Sequence, residues 1–221
     1  MFKQIFEIFK SDSLYEQALN ECHEMLEIVR EMFNESTKSL RQSDTAEIPI
    51  DIYATDKKIN EFERDVRRKV MTHLAVGGKE DIGSGLILVS VVIDIERIGD
   101  YTKNIYDLAV QHPKKLDGGS FEETISNMEV DTKNFLNKAI DAFKSQDIDE
   151  ARKLMVEYKT DIASTSNEVV NKIISGNYGD YSADKASAVC LYVRYLKRIA
   201  AHSRNLVSSV VNPFERIGYP E

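Results

Sequence analysis

Apolar residues recur every three or four positions along most of this 221-residue chain. In the first long segment they are Ala18, Cys22, Met25, Val29 and Met32. Alternating steps of four and three place these side chains on one side of an α-helix, as packing in a helix bundle requires. The chain also has only 10 glycines and 4 prolines, so it has few turn formers. The sequence therefore predicts an all-α fold.

The same spacing predicts six long helices, grouped as three plus three. The clearest interruption lies at residues 113–119, where Pro113 and then Gly118 and Gly119 break the helical pattern. We therefore predict four units: an N-terminal amphipathic segment at 1–13, a first three-helix repeat at 14–113, a second three-helix repeat at 120–212 and a C-terminal tail at 213–221.

Identical residues in the two halves indicate an internal duplication. At an offset of 101 residues, the following pairs match: Arg97 with Arg198, Ile98 with Ile199, and Asn104 with Asn205. At an offset of 105 residues, Thr55 and Asp56 match Thr160 and Asp161. The change of offset falls between corresponding helices, as expected for two diverged copies of one unit.

Charge argues against a nucleic-acid partner, and hydropathy argues against a membrane-spanning helix. The net charge of −8 repels nucleic acid phosphates. The most apolar stretch, residues 85–93, is far shorter than the roughly 18 residues that a membrane-spanning helix needs. The first residues also lack a continuous apolar signal sequence, so we expect a cytoplasmic protein.

The N-terminal segment carries an apolar stripe formed by Phe2, Ile5, Phe6 and Phe9. In the simplest interpretation the stripe packs on its own bundle or on a second copy in a homodimer. The alternative is a peripheral contact with a membrane or a transporter.

Two acidic stripes are the clearest candidates for chemistry. Glu96, Asp100 and Asn104 recur every four residues beside the predicted core seam of the third helix, formed by Leu88, Val92, Ile95, Gly99 and Thr102. Asp56, Asn60 and Glu63 form a similar stripe on the second helix. Oxygen ligands on two adjacent helices can enclose a hard or borderline cation. The alternative is a hydrated, salt-bridged surface without a ligand.

The run ERIGDYTKNI at residues 96–105 resembles the signature of the PhoU family, and DKKINEFE at 56–63 is similar to the family's second-helix pattern. The resemblance extends over about residues 14–211. It implies two tandem three-helix bundles, with PhoU-like, spectrin-type repeats.

The resemblance also implies a function: a negative regulator of phosphate uptake, without enzymatic activity, that binds a phosphate transporter subunit or a phosphate sensor kinase. Some members of the family bind metal through paired acids. The matching positions here are Glu96, Asp100, Asp56 and Asn60, which would bind a divalent metal or iron ion. No catalytic or other cofactor-binding residue is predicted.

The second repeat departs from the family pattern. Lys197 and Ala201 stand where Glu and Asp are expected, and neither side chain coordinates a cation. His202 is a substitute ligand in one interpretation and an ordinary half-buried histidine in the other. Any metal site is therefore expected in the first repeat.

Two alternatives remain on the sequence alone. A ferritin-like metal-storage protein or carboxylate-metal enzyme also places acids between helices, but it requires Glu-x-x-His pairs. No histidine of this chain belongs to such a pair, because the residues three positions before the four histidines are Asn20, Val70, Ala109 and Ile199. The other alternative is a purely structural helical adaptor.

Overall fold

Long helices form where the apolar spacing predicts them. The computed structural model describes residues 13–76, 79–112, 114–160, 162–177, 179 and 181–220. Its helices are α1 (Leu14–Gln42), α2 (Ile52–Val76), α3 (Ile82–Gln111), α4 (Glu122–Ser145), α5 (Ile148–Thr160), α6 (Ile162–Ile174) and α7 (Ala183–Val211). Short 3₁₀ helices occupy Lys79–Asp81, Gly119–Phe121 and Phe214–Arg216. The described ranges contain no strand, and the predicted all-α class is confirmed.

Two predicted features extend outside the described residues. Almost all of the amphipathic segment, residues 1–12, lies outside them. The predicted fifth helix corresponds to α5 and α6, which flank residue 161, and that residue is also outside the described ranges.

Local side-chain contacts explain where the first two helices begin. Ser13 and Glu16 form a capping box, in which the Ser13 hydroxyl accepts a hydrogen bond from the Glu16 N–H and the Glu16 carboxylate accepts one from the Ser13 N–H. Asp51 caps α2, since its carboxylate accepts hydrogen bonds from the N–H groups of Tyr53 and Ala54.

The helices form two groups joined through α3 and α7. Helices α1, α2 and α3 pack on one another, and α4, α5 and α6 pack around α7. Because α3 also packs along α7, the apolar residues of both groups belong to one continuous core cluster. None of the described helices combines the length and the apolar character that are needed to cross a lipid bilayer.

An arginine side chain that is mostly shielded from water links the two groups at one end. The Arg41 side chain, at the end of α1, is only 7% exposed and binds the carboxylates of Glu122 and Glu129 on α4. It also donates to the carbonyl of Leu116, in the connection between the groups. The Tyr192 hydroxyl of α7 donates to Glu129 at 2.9 Å, so this network joins α1, α4 and α7.

Candidate functional site

Helices α2 and α3 position the predicted acidic stripes. Gly99 allows these helices to lie close together, because a Cβ at this position would lie 3.0 Å from the Cδ1 atom of Ile59. The predicted seam of α3 is confirmed, since its five residues are all buried. The polar residues beside that seam therefore line the groove between α2 and α3.

Lys103 connects the two acidic stripes. Its ammonium group lies 2.8 Å from Oδ2 of Asp56 on α2 and 3.2 Å from Oδ1 of Asp100 on α3. Asn60 stands one turn after Asp56, and its amide donates to the Asp56 carbonyl at 3.0 Å. The side chains of Asp56, Asp100 and Lys103 are each about 15–27% exposed, so this bridge is partly shielded from water.

Glu96 lies one turn before Asp100, and its side chain is only 12% exposed. Burial and the neighbouring charge of Asp100 raise the pKa of Glu96 to about 7. Arg97 counteracts this shift, since its guanidinium lies 3.4 Å from Glu96 and 3.0 Å from Asp100. The Glu96 and Asp100 pair therefore favours a proton or a further positive charge.

The structure brings the four predicted ligands to one groove but surrounds them with cations of the protein itself. Asp56 and Asp100 share Lys103, and Glu96 and Asp100 share Arg97. Within the ranges that the structure describes, no group of three or more His, Cys, Asp or Glu residues is arranged to hold a metal ion. A metal at these ligands would therefore compete with Lys103 and Arg97.

Sequence reasoning missed the bridging role of Lys103. It placed Asn104 in the stripe with Glu96 and Asp100, whereas the ammonium one residue earlier joins the helices. The spacing of three residues between Asp100 and Lys103 was a usable signal, because side chains at that separation are neighbours on a helix. The pairing with Asp56 had no local signal, since 47 residues separate it from Lys103.

The corresponding face of the second repeat has a different chemistry. The Lys197 ammonium donates to Oδ1 of Asn167 on α6 at 2.8 Å, and Ala201 follows one turn later on α7. Asp161, the counterpart of Asp56, lies outside the described residues.

His202 points away from that face and towards α3. Its Nδ1 atom lies 2.7 Å from Oδ1 of Asp94, and its ring stacks on Tyr101. Asn205 donates to the same Asp94 oxygen at 2.8 Å. His202 and Asn205 thus join the two groups of helices through Asp94, which is 8% exposed.

Comparison with known proteins adds independent information. The PhoU domain model matches this chain twice, at residues 22–109 and 125–218. A relative from Clostridium acetobutylicum, named phosphate-specific transport system accessory protein PhoU homolog, is 23% identical over 212 residues, which cover 93% of this chain and 88% of the relative.

Solved structures share the fold. The crystal structure of PhoU from Pseudomonas aeruginosa superposes with a TM-score of 0.79 at 20% identity, covering 89% of this chain and 95% of that chain. The phosphate transport system regulatory protein PhoU from Streptococcus pneumoniae superposes with a TM-score of 0.72 at 17% identity, covering 88% and 91%. Since the family model matches most of the sequence in two consecutive copies, the chain belongs to the PhoU family.

Proposed function

We propose that this chain is an accessory protein of a phosphate transport system and that it restrains phosphate uptake from the cytoplasmic side. The observation that carries the proposal is the double match to the PhoU domain, which covers both helical repeats. Relatives matched over most of their length are named as accessory proteins of phosphate-specific transport. The protein acts by binding a transporter subunit or a phosphate sensor kinase rather than by catalysis.

The groove between α2 and α3 suits such a binding role. Its acidic and basic side chains are held in fixed positions by ion pairs. Lys103 bridges Asp56 and Asp100, and Arg97 bridges Glu96 and Asp100. A partner that inserts a cationic group here, such as an arginine side chain, would replace the ion pairs that Lys103 and Arg97 make with these acids. Pairs that are partly shielded from water support this kind of selective contact better than fully exposed pairs.

Phosphate uptake in a deletion strain tests the proposal. Initial rates of radiolabelled phosphate uptake are measured in the parent, in the deletion strain and in the deletion strain carrying a tagged copy of the gene. We expect faster uptake after deletion, restoration by the tagged copy, and recovery of a phosphate permease, its ATPase subunit or a sensor kinase with the tag. Unchanged uptake together with no such partner would overturn the proposal.

We also propose that Glu96, Asp100, Asp56 and Asn60 bind a divalent metal or iron ion when Lys103 is displaced. The support is chemical: the Glu96 and Asp100 carboxyl groups are close together and partly desolvated, so they gain from a bound cation. Removing the competing ammonium in Lys103→Met should then increase metal affinity, whereas Glu96→Ala with Asp100→Ala should abolish it. Elemental analysis of the three purified proteins measures this, and equal metal content in all three would contradict it.

A further inference from the structure

The two repeats present opposite charges at corresponding positions of α3 and α7. Four pairs of positions at the offset of 101 residues show this: Ile93 with Arg194, Glu96 with Lys197, Arg97 with Arg198, and Asp100 with Ala201. The formal charge of these four positions is −1 in the first repeat and +3 in the second. Within a chain whose net charge is −8, the second repeat therefore concentrates positive charge where the first concentrates acids.

These three cations lack the carboxylates that pair with their counterparts. In the first repeat, Arg97 lies between Glu96 and Asp100. Arg194, Lys197 and Arg198 form no ion pair within the described part of the chain. Burial and the charges of both arginines lower the pKa of Lys197. Among the residues that the structure describes, these positive charges therefore repel one another without a carboxylate between them.

The side chains of the cluster lie on one side of α7. Residues three and four positions apart are neighbours on a helix surface, so Lys197 and Arg198 both lie beside Arg194. Lys197 is oriented by the 2.8 Å hydrogen bond that its ammonium group donates to Oδ1 of Asn167. The NH₂ group of the same Asn167 amide is a further hydrogen-bond donor beside the cluster. The cluster therefore borders α6 on one side.

Arg198 lies at the edge of the cluster that is next to α3. Its Nε atom donates to the Tyr101 hydroxyl at 3.1 Å, and its guanidinium lies 5.5 Å from the centre of the Tyr101 ring. Its Nη2 atom lies 3.2 Å from Nε2 of His202. These contacts hold the guanidinium group of the exposed Arg198 in place before any ligand arrives, which reduces the entropy lost on binding.

We propose that Arg194, Lys197 and Arg198 form a binding site for the dianionic phosphate group. Three cations within one helical turn suit a small ligand with two negative charges and several acceptor oxygens, and two of them are guanidinium groups that can donate paired hydrogen bonds to such oxygens. The ligand is either free inorganic phosphate or a phosphomonoester on a larger molecule. This site goes beyond the proposed transport role and gives the second repeat a ligand of its own.

Calorimetric titration of the purified 221-residue chain at constant ionic strength tests the site. The probes are inorganic phosphate and phenyl phosphate, a phosphomonoester, and chloride serves as the reference anion. The test variant is Arg194→Gln with Lys197→Gln. The control variant is Arg64→Gln with Lys133→Gln, which removes the same two residue types and the same charge from exposed positions on α2 and α4. Circular dichroism and thermal melting confirm that both variants fold.

We expect at least one of the two phosphate probes to bind the wild-type protein, with affinity at least tenfold lower in the test variant and within twofold of wild type in the control. Tighter binding of inorganic phosphate would identify the free ion as the ligand, and tighter binding of phenyl phosphate would identify a phosphorylated molecule. The proposal is overturned if neither probe binds, or if both variants weaken binding equally. The measurement needs no transporter. A negative result would therefore leave the proposed role in phosphate uptake unaffected.

Discussion

The carboxyl group of Glu96 shows how one side chain responds to the groove between α2 and α3. Burial and the charge of Asp100 raise its pKa from 4.5 to about 7. Between these two pH values the folded state binds more protons than the unfolded state does. The free energy of unfolding therefore falls as the pH rises from about 4.5 to about 7. Above that range the destabilisation caused by the ionised Glu96 is complete.

Replacement of Glu96 by glutamine tests this linkage. The amide is neutral at every pH, so Glu96→Gln should raise the free energy of unfolding by about 1–3 kcal/mol at pH 8 and change it little at pH 4. Urea denaturation at both pH values, in buffer with a chelator, measures the difference. A change of the same size at both pH values would show that Glu96 affects stability through packing rather than ionisation.

At the residue scale the sequence predicted the acids better than their partners. The four-residue spacing of Glu96 and Asp100 placed them on one stripe, and the structure confirms that they are neighbours on α3. His202 was assigned two alternative roles, and its actual partner, Asp94, stands 108 residues earlier. Long-range pairs of this kind leave no periodic trace, because helix periodicity reports only which side of a helix is buried.

Packing of α2 on α3 depends on the absence of a side chain at Gly99. In Gly99→Val, the added Cβ would lie 3.0 Å from the Ile59 side chain and 3.6 Å from that of Val29, so α2 has to move away or Ile59 has to change rotamer. We expect a loss of about 1–3 kcal/mol of unfolding free energy, as is typical of overpacked cores. Gly83→Val is the matched control, because a Cβ at Gly83 in α3 meets no atom within 4 Å. Urea denaturation of both variants checks this, and equal losses would refute the packing argument.

The connection between α1 and α4 depends on Arg41. Arg41→Met keeps much of the side-chain volume but leaves Glu122 and Glu129 without their cation, and it removes a donor from the Leu116 carbonyl. Because the Glu122 and Glu129 side chains are 45% and 20% exposed, this ion pair is only partly buried, and the loss of Arg41 should cost about 1–3 kcal/mol. Arg64→Met, at an exposed position of α2, should cost under about 1 kcal/mol. Chemical denaturation compares the two, and similar losses would contradict this role of Arg41.

Helices were easier to predict than the contacts between their ends. The apolar spacing identified α1, α2, α3, α4 and α7, because each buries one long stripe of residues. Arg41 stands in the last turn of α1, where a cation usually stays exposed and interacts with the helix dipole. Its partners follow 75 to 88 residues later, so its burial depends on tertiary structure that local patterning does not encode.

At the scale of the whole molecule, two similar repeats share one core but carry different surfaces. The family pattern is retained at Arg97 and Arg198 and at the helix pairs that bury the core, whereas the acids of the first repeat are replaced by Lys197 and Ala201 in the second. Core residues are constrained by packing on both sides of the α3 and α7 contact. Exposed residues are free of that constraint, so the surface charges of the two repeats can diverge.

The contact between the repeats predicts that the molecule unfolds as one unit. Asp94 of α3 accepts hydrogen bonds from His202 and Asn205 of α7, and Asp94→Ala leaves these partly buried donors without an acceptor. We expect a loss of about 2–4 kcal/mol, with one transition retained because the apolar core still spans both repeats. Asp131→Ala, at an exposed position of α4, provides the control and should change stability by less than about 0.5 kcal/mol. Urea denaturation followed by both circular dichroism and tyrosine fluorescence checks the prediction: two separate transitions in Asp94→Ala would mean that this polar contact, rather than the shared core, couples the repeats.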